Sequence, residues 1–134
     1  MTKVPLDVAT GEVHAWLDYK RIPANRRESL QSMIDNLANA IAEGNVTIND
    51  KQQIEHTLIF ELEGETGGIQ KLVYKSRLSD SDLEPYKRVL KGTDFDSTLK
   101  RTILALTGQP LGVINKLDSS TDKGIAESIA VFFV

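Results

Sequence analysis

The chain has 134 residues, 40% hydrophobic and 26% charged, with 16 basic against 19 acidic side chains and a formal net charge of −3. A chain of this length buries roughly two thirds of the surface it exposes when unfolded, enough for one small domain, and its lack of cysteine excludes a disulfide scaffold, a thiolate zinc site and a cysteine nucleophile. Residues 1–53 carry 6 basic and 7 acidic side chains and residues 54–134 carry 10 and 12, so neither part has the basic excess through which nucleic-acid binders gain affinity.

Residues 1–10 lack periodicity and read as an arm. Val13, Trp16, Leu17 and Ile22 share one face of a short helix over residues 11–22, which Pro23 would stop. Over residues 24–43, Leu30, Met33, Ile34, Leu37, Ala38 and Ile41 recur at three and four, with Gly44-Asn45 as the stop. The period then switches to two. Ile54, His56, Leu58, Phe60 and Leu62 alternate with mostly polar residues, a second β-like run covers residues 69–77, and the glycine-rich segment 63–68 between them predicts a β-hairpin.

Three helical stretches follow. Ser79, Asp80, Ser81 and Asp82 offer N-caps before residues 83–91, which Gly92 ends. Asp96 or Ser97 caps the next, lined by Leu99, Ile103 and Leu106 and closed by Gly108 and Pro110, with a short helical turn over residues 111–117. The run Asp118-Ser119-Ser120-Thr121-Asp122 then caps a last helix whose face is Ile125, Ile129, Phe132 and Phe133. The expected architecture is a single α+β domain over residues 1–134, mainly helical, with one β-hairpin: an amino-terminal helical segment (1–53), then the hairpin and a helical region (54–134).

Little in this pattern asks for chemistry. The segment 64–68 lacks the Gly-Lys-Ser/Thr ending of a phosphate loop and precedes a strand, so it reads as a turn. His14 and His56 are the only histidines. His56 falls on the apolar face of its strand, where a hydrogen-bonded structural role is the ordinary outcome. The pairs Asp80/Asp82 and Asp94/Asp96 are too few oxygens for a hard cation and fit helix caps. No Gly-x-Ser-x-Gly elbow is present. No catalytic residue, cofactor or metal site is therefore expected. Residues 99–117 have the outline of a helix-turn-helix, the feature behind the alternative reading of a small DNA-binding regulator. The would-be reading helix starts Pro110-Leu111-Gly112-Val113, which offers almost no donor or acceptor to a base edge. No apolar run approaches the ~20 residues of a membrane span, and the opening residues contain no signal core, so no membrane contact and a cytoplasmic location are expected.

The end of the chain is the most informative segment. Val131-Phe132-Phe133-Val134 holds more apolar surface than one helical stripe hides, so it is either packed deeply or offered to another chain. The β-hairpin, the run Lys71-Leu72-Val73-Tyr74-Lys75-Ser76-Arg77-Leu78, the turn Leu104-Ala105-Leu106-Thr107-Gly108-Gln109-Pro110, and Asn115-Lys116-Leu117-Asp118 before Ala130-Val131-Phe132-Phe133 together resemble the tail assembly chaperones of long-tailed bacteriophages. The likeness covers about residues 54–134. His14-Ala15-Trp16-Leu17-Asp18 and Ile22-Pro23-Ala24 are similar to the amino-terminal parts of longer members.

The resemblance implies a small non-enzymatic protein, made in the host bacterial cytoplasm and absent from the finished virion. It would bind the tape-measure protein and recruit tail-tube subunits, with a fraction extended at its carboxyl end by ribosomal frameshifting. A chaperone of apolar segments presents amphipathic surface that self-association covers when no client is bound. The surfaces nominated for this are Leu30, Ile34, Leu37 and Ile41 on one helix and Ile125, Ile129, Phe132 and Phe133 on the last.

Overall fold

The structure, a computed structural model, describes residues 3–64 and 67–134. The first helix, α1 (Leu6–Tyr19), starts earlier than the expected Gly11: Pro5, with φ −58° and ψ 147°, holds the N-cap position, and Asp7 places an acid in the first turn. Much of the expected arm is therefore helix. The buried stripe of α1 is Ala9, Val13, Trp16 and Leu17. The chain leaves it through Lys20 and then Arg21, whose φ of 57° is left-handed.

The long helix expected over residues 24–43 is two helices, α2 (Ala24–Ser29) and α3 (Gln31–Ala42). Leu30, at φ −112° and ψ 25°, breaks them, and its N–H is shared between the carbonyls of Arg26 and Arg27. The break leaves α2 with no buried residue, while α3 buries Ile34, Leu37, Ala38, Ala40 and Ile41. Gly44, at φ 84°, ends α3 where the sequence placed its stop.

The sheet has three strands rather than a hairpin alone. Strand β1 (Val46–Ile48) pairs antiparallel with β2 (Ile54–Gly64), Val46 opposite His56, and β2 pairs antiparallel with β3 (Gly67–Tyr74), Ile54 opposite Tyr74. Three residues are too few for a period-two signal, which is why β1 escapes a pattern reading. Asn49 closes the β1–β2 turn, its Oδ1 accepting from the N–H of Lys51 at 2.9 Å and of Gln53 at 3.0 Å. Within the segment 63–68 expected as a turn, β2 extends to Gly64 and β3 begins at Gly67; Glu65 and Thr66 lie outside the described residues.

After the sheet, α4 (Asp80–Lys87) opens with a capping box between Ser79 and Asp82 and ends before the expected Lys91. Helix α5 (Phe95–Thr107) is capped by Asp94, whose side chain accepts from the Ser97 N–H, rather than by Asp96 or Ser97, and closes at Gly108 with φ 69°. Next come α6 (Leu111–Ile114), one turn long, α7 (Asp122–Ala130) and a terminal 3-10 turn (Val131–Phe133). The fold is α+β and mainly helical.

One hydrophobic cluster joins residues from both halves of the chain, including Trp16, Leu37, Ile54, Leu72, Leu104 and Ile129. Helix α3 packs on α1 and α7, α5 packs on α7 and β3, and α7 also reaches β2. On β3, Leu72 and Tyr74 face this core while Lys71 and Val73 face out. Trp16 meets Phe132 edge-on, ring centroids 5.9 Å apart at 89°, and Phe133 at 6.0 Å, which fastens the terminal turn to α1. The Arg26 guanidinium finishes that turn by donating to the carbonyls of Val131 and Val134, both at 2.8 Å.

Candidate functional site

Three side chains from three elements meet inside the core. His56 on β2, Tyr74 at the end of β3 and Asp122 in the first turn of α7 are fully buried. His56 Nε2 lies 3.0 Å from Asp122 Oδ1, and His56 Nδ1 lies 3.1 Å from the Tyr74 hydroxyl. An ionised carboxylate only accepts, so Nε2 carries the proton, and in the neutral ring the Tyr74 hydroxyl donates to Nδ1. Asp122 also accepts the backbone N–H of Ile59, at 3.0 Å to Oδ1, and of Phe60, at 3.1 Å to Oδ2.

Those two backbone bonds explain a departure from the expected alternation. Between Thr57 and Leu62 the β2–β3 register slips, so residues 58–61 of β2 stand against Gln70 alone. The N–H groups of Ile59 and Phe60 turn away from the ladder to the carboxylate, and their side chains are carried outward. Phe60, expected on the inner face with Leu58 and Leu62, is 54% exposed, and Ile59 beside it is 46% exposed.

Burial alone would raise the Asp122 carboxyl, but the donors from His56, Ile59 and Phe60 outweigh it and hold the group below the usual aspartate range. Burial, reinforced by the Asp122 charge, pushes the Tyr74 phenol well above the usual tyrosine range. The network resembles a proton relay in outline, yet all three side chains are sealed from solvent, and its evident work is to tie α7 to β2. His56 takes the structural role its place on the strand suggests. Asp122 was legible only as one residue of a capping run. No side chain caps α7; Asp118 closes the turn before it, its Oδ2 accepting from the hydroxyls of Thr121 at 2.7 Å and Ser120 at 2.9 Å.

Lys20 is a second displaced ionisable group. Its Nζ sits 3.5 Å from the centroid of the Phe133 ring, and burial together with repulsion from Arg77 lowers it to about 8. This sets the alkaline behaviour. Above pH ~8 the unfolded chain holds a proton on Lys20 that the folded chain gives up, so stability rises with pH through that window. Above pH ~10 an unfolded tyrosine ionises while Tyr74 keeps its proton, so the fold holds more protons and stability falls. Urea melts across this range should show a maximum near pH ~10. Lys20→Met should abolish the rise and leave the fall.

The eight residues nominated as partner surfaces lie elsewhere than the sequence reading placed them. Ile34, Leu37, Ile41, Ile125, Ile129 and Phe132 are buried, and Leu30 and Phe133 are half-buried against the same core. The two nominated faces cover each other: α3 packs on α7, and Asn36 of α3 donates to the Ser128 hydroxyl at 2.8 Å across the seam. In the folded chain the seam between them is closed, and only Leu30 and Phe133 of the eight keep partial exposure.

The large apolar side chains that are exposed are others. They include Leu6 and Val8 at the start of α1, Ile59 and Phe60 on the bulge, and Val89 and Phe95 flanking the α4–α5 connection. The outline of a helix-turn-helix also dissolves, because α6 is a single turn with Val113 and Ile114 buried and α5 is packed into the core. Among the described residues no group of three or more histidine or carboxylate side chains is placed to hold a metal ion, and no helix is long and apolar enough to cross a membrane. No protein-family model matches the chain, and no curated protein or solved structure matches it.

Proposed function

We propose that this chain is a tail assembly chaperone of a long-tailed bacteriophage, which binds the apolar tape-measure protein and recruits tail-tube subunits in the host cytoplasm. The observation that carries the proposal is the β2 bulge. Two consecutive bulky side chains, Ile59 and Phe60, are held about half exposed by a carboxylate buried behind them. An apolar pair on a rigid mount loses little conformational entropy when it meets a client, which suits a protein that binds greasy segments without reading their sequence.

The motifs that carry the resemblance support the reading from within the fold. The run over residues 71–78 supplies the end of β3 that seats Tyr74. Thr107-Gly108-Gln109-Pro110 is the left-handed stop of α5, and Ala130-Val131-Phe132-Phe133 is the turn that locks onto Trp16. The client surface therefore shifts from the residues nominated by pattern to the bulge. Without client, the same pair favours self-association, which light scattering reads.

The test is co-expression with a tape-measure fragment followed by pulldown. The wild-type chain should hold the fragment in the soluble fraction. The Ile59→Ser, Phe60→Ser double variant, whose side chains contribute little to the core, should fold with an unchanged circular dichroism spectrum and lose the fragment. A wild-type chain that leaves the fragment insoluble and uncaptured would refute the proposal.

A further inference from the structure

A cleft of about 530 Å³ opens between the end of α1, the β3–α4 connection and the terminal 3-10 turn, within the ~300–1,000 Å³ of ligand-binding clefts. Lys20 and Arg21 line it on one side, Arg77 on another, and Phe132 and Phe133 supply an aromatic wall. Among the described residues no carboxylate side chain lines it. Elsewhere among the described residues five of the 16 basic side chains pair with an acid, among them Arg27 with Asp18 and Lys71 with Glu55, both at 2.7 Å. Among the described residues Lys20, Arg21 and Arg77 have no acid partner.

We infer that this cleft is a binding site for an acidic peptide segment of a partner protein, with carboxylates set among Lys20, Arg21 and Arg77 and an apolar side chain against the half-buried Phe133. Three cations crowded without a counter-charge raise one another's energy, and a carboxylate relieves that repulsion on arrival. Burial first, and repulsion from Arg77 second, lowers the proton affinity of Lys20. Arg21 is held at φ 57°, a conformation uncommon outside glycine and asparagine, and the turn it makes lets consecutive cations share one cleft.

An aromatic wall beside the charges favours a peptide, which brings carboxylates and apolar groups together, over a bare anion. A polyanionic nucleic acid would need a longer basic track than three side chains on a chain of net charge −3. The inference stands on the cleft alone and holds whether or not the bulge binds a client.

The experiment is isothermal titration calorimetry of the full chain with a terminally blocked Glu-Phe-Glu-Leu-Glu peptide. The same titration is run with its Gln-Phe-Gln-Leu-Gln counterpart and with inorganic phosphate. The acidic peptide should bind, more weakly as salt is raised, and Arg77→Gln and Lys20→Met should each weaken it about tenfold without altering the circular dichroism spectrum. Equal binding of the neutral peptide would overturn the proposal by showing an apolar groove only. Displacement of the peptide by phosphate at comparable concentration would overturn it by showing a simple anion site. Unchanged affinity in both variants would place the peptide elsewhere and overturn it as well.

Discussion

Asp122→Ala should cost about 3–5 kcal/mol of folding stability, the usual penalty for removing one partner of a buried charged network. The substitution leaves His56 Nε2 and the N–H groups of Ile59 and Phe60 without their acceptor in a water-free site. Small domains have about 5–15 kcal/mol in total, so the variant would stand near the unfolding threshold. Urea titration at neutral pH reads this as a lower midpoint with an unchanged slope. Asp118→Ala is the control, because Asp118 lies in the same run but bonds only to its own turn; it should move the midpoint far less. Equal losses from both variants would mean that the buried network is not the tie between α7 and β2.

The acid limb of the pH profile gives a second reading of the same group. Asp122 is held below its ordinary value in the fold, so the unfolded chain takes up its proton first. The stability due to Asp122 is present above the ordinary aspartate range and is lost as pH falls through the lowered folded value. Glu55, lowered by hydrogen bonds from Lys71 on the neighbouring strand and from Asn49, and Asp82, Asp94 and Asp118, lowered by local hydrogen bonds, act in the same direction. In Asp122→Ala the acid limb should flatten without vanishing.

Phe132→Ala should cost about 3–5 kcal/mol, the range for emptying a buried aromatic site. Phe132 is 4% exposed and packs edge-on against Trp16, so its loss frees the terminal turn from α1 as well as opening a cavity. Trp16 is the only tryptophan, and its emission should report the loosening directly. This outcome separates a core residue from a docking residue. Had Phe132 served a partner, its truncation would have weakened association and left the fold intact. The paired prediction is the Ile59→Ser, Phe60→Ser variant, which should do the reverse. The exposed edge of Phe60 contributes little to stability because its surface stays wet in both states.

How far the residues disclose the fold can be judged element by element. The stripe at Ile34, Leu37, Ala38 and Ile41 follows from period 3.6, the stops at Gly44 and Gly108 from left-handed backbone, and the strand at Ile54, His56 and Leu58 from period two. These are local rules, satisfied within a few residues. Leu30 already strains them, since a helical pattern continuous over residues 24–43 hides a change of axis that only packing on α1 and α7 rewards.

Local sequence thus determined which residues share a face, where helices stop and that the fold is α+β. It did not determine what covers each face. Periodicity marks a stripe as apolar, and the stripe is satisfied equally by a foreign chain or by another helix of the same chain. Here α3 and α7 cover each other, and only the closed fold decides that. The outward turn of Phe60 and the burial of Asp122 were likewise decided at long range. The acceptor that pulls the Phe60 N–H from the ladder lies 62 residues along the chain, and nothing near either residue announces the other. The same closure brings Lys20, Arg21 and Arg77 into one cleft, because the end of α1 and the β3–α4 connection become neighbours only when the terminal turn seats against Trp16.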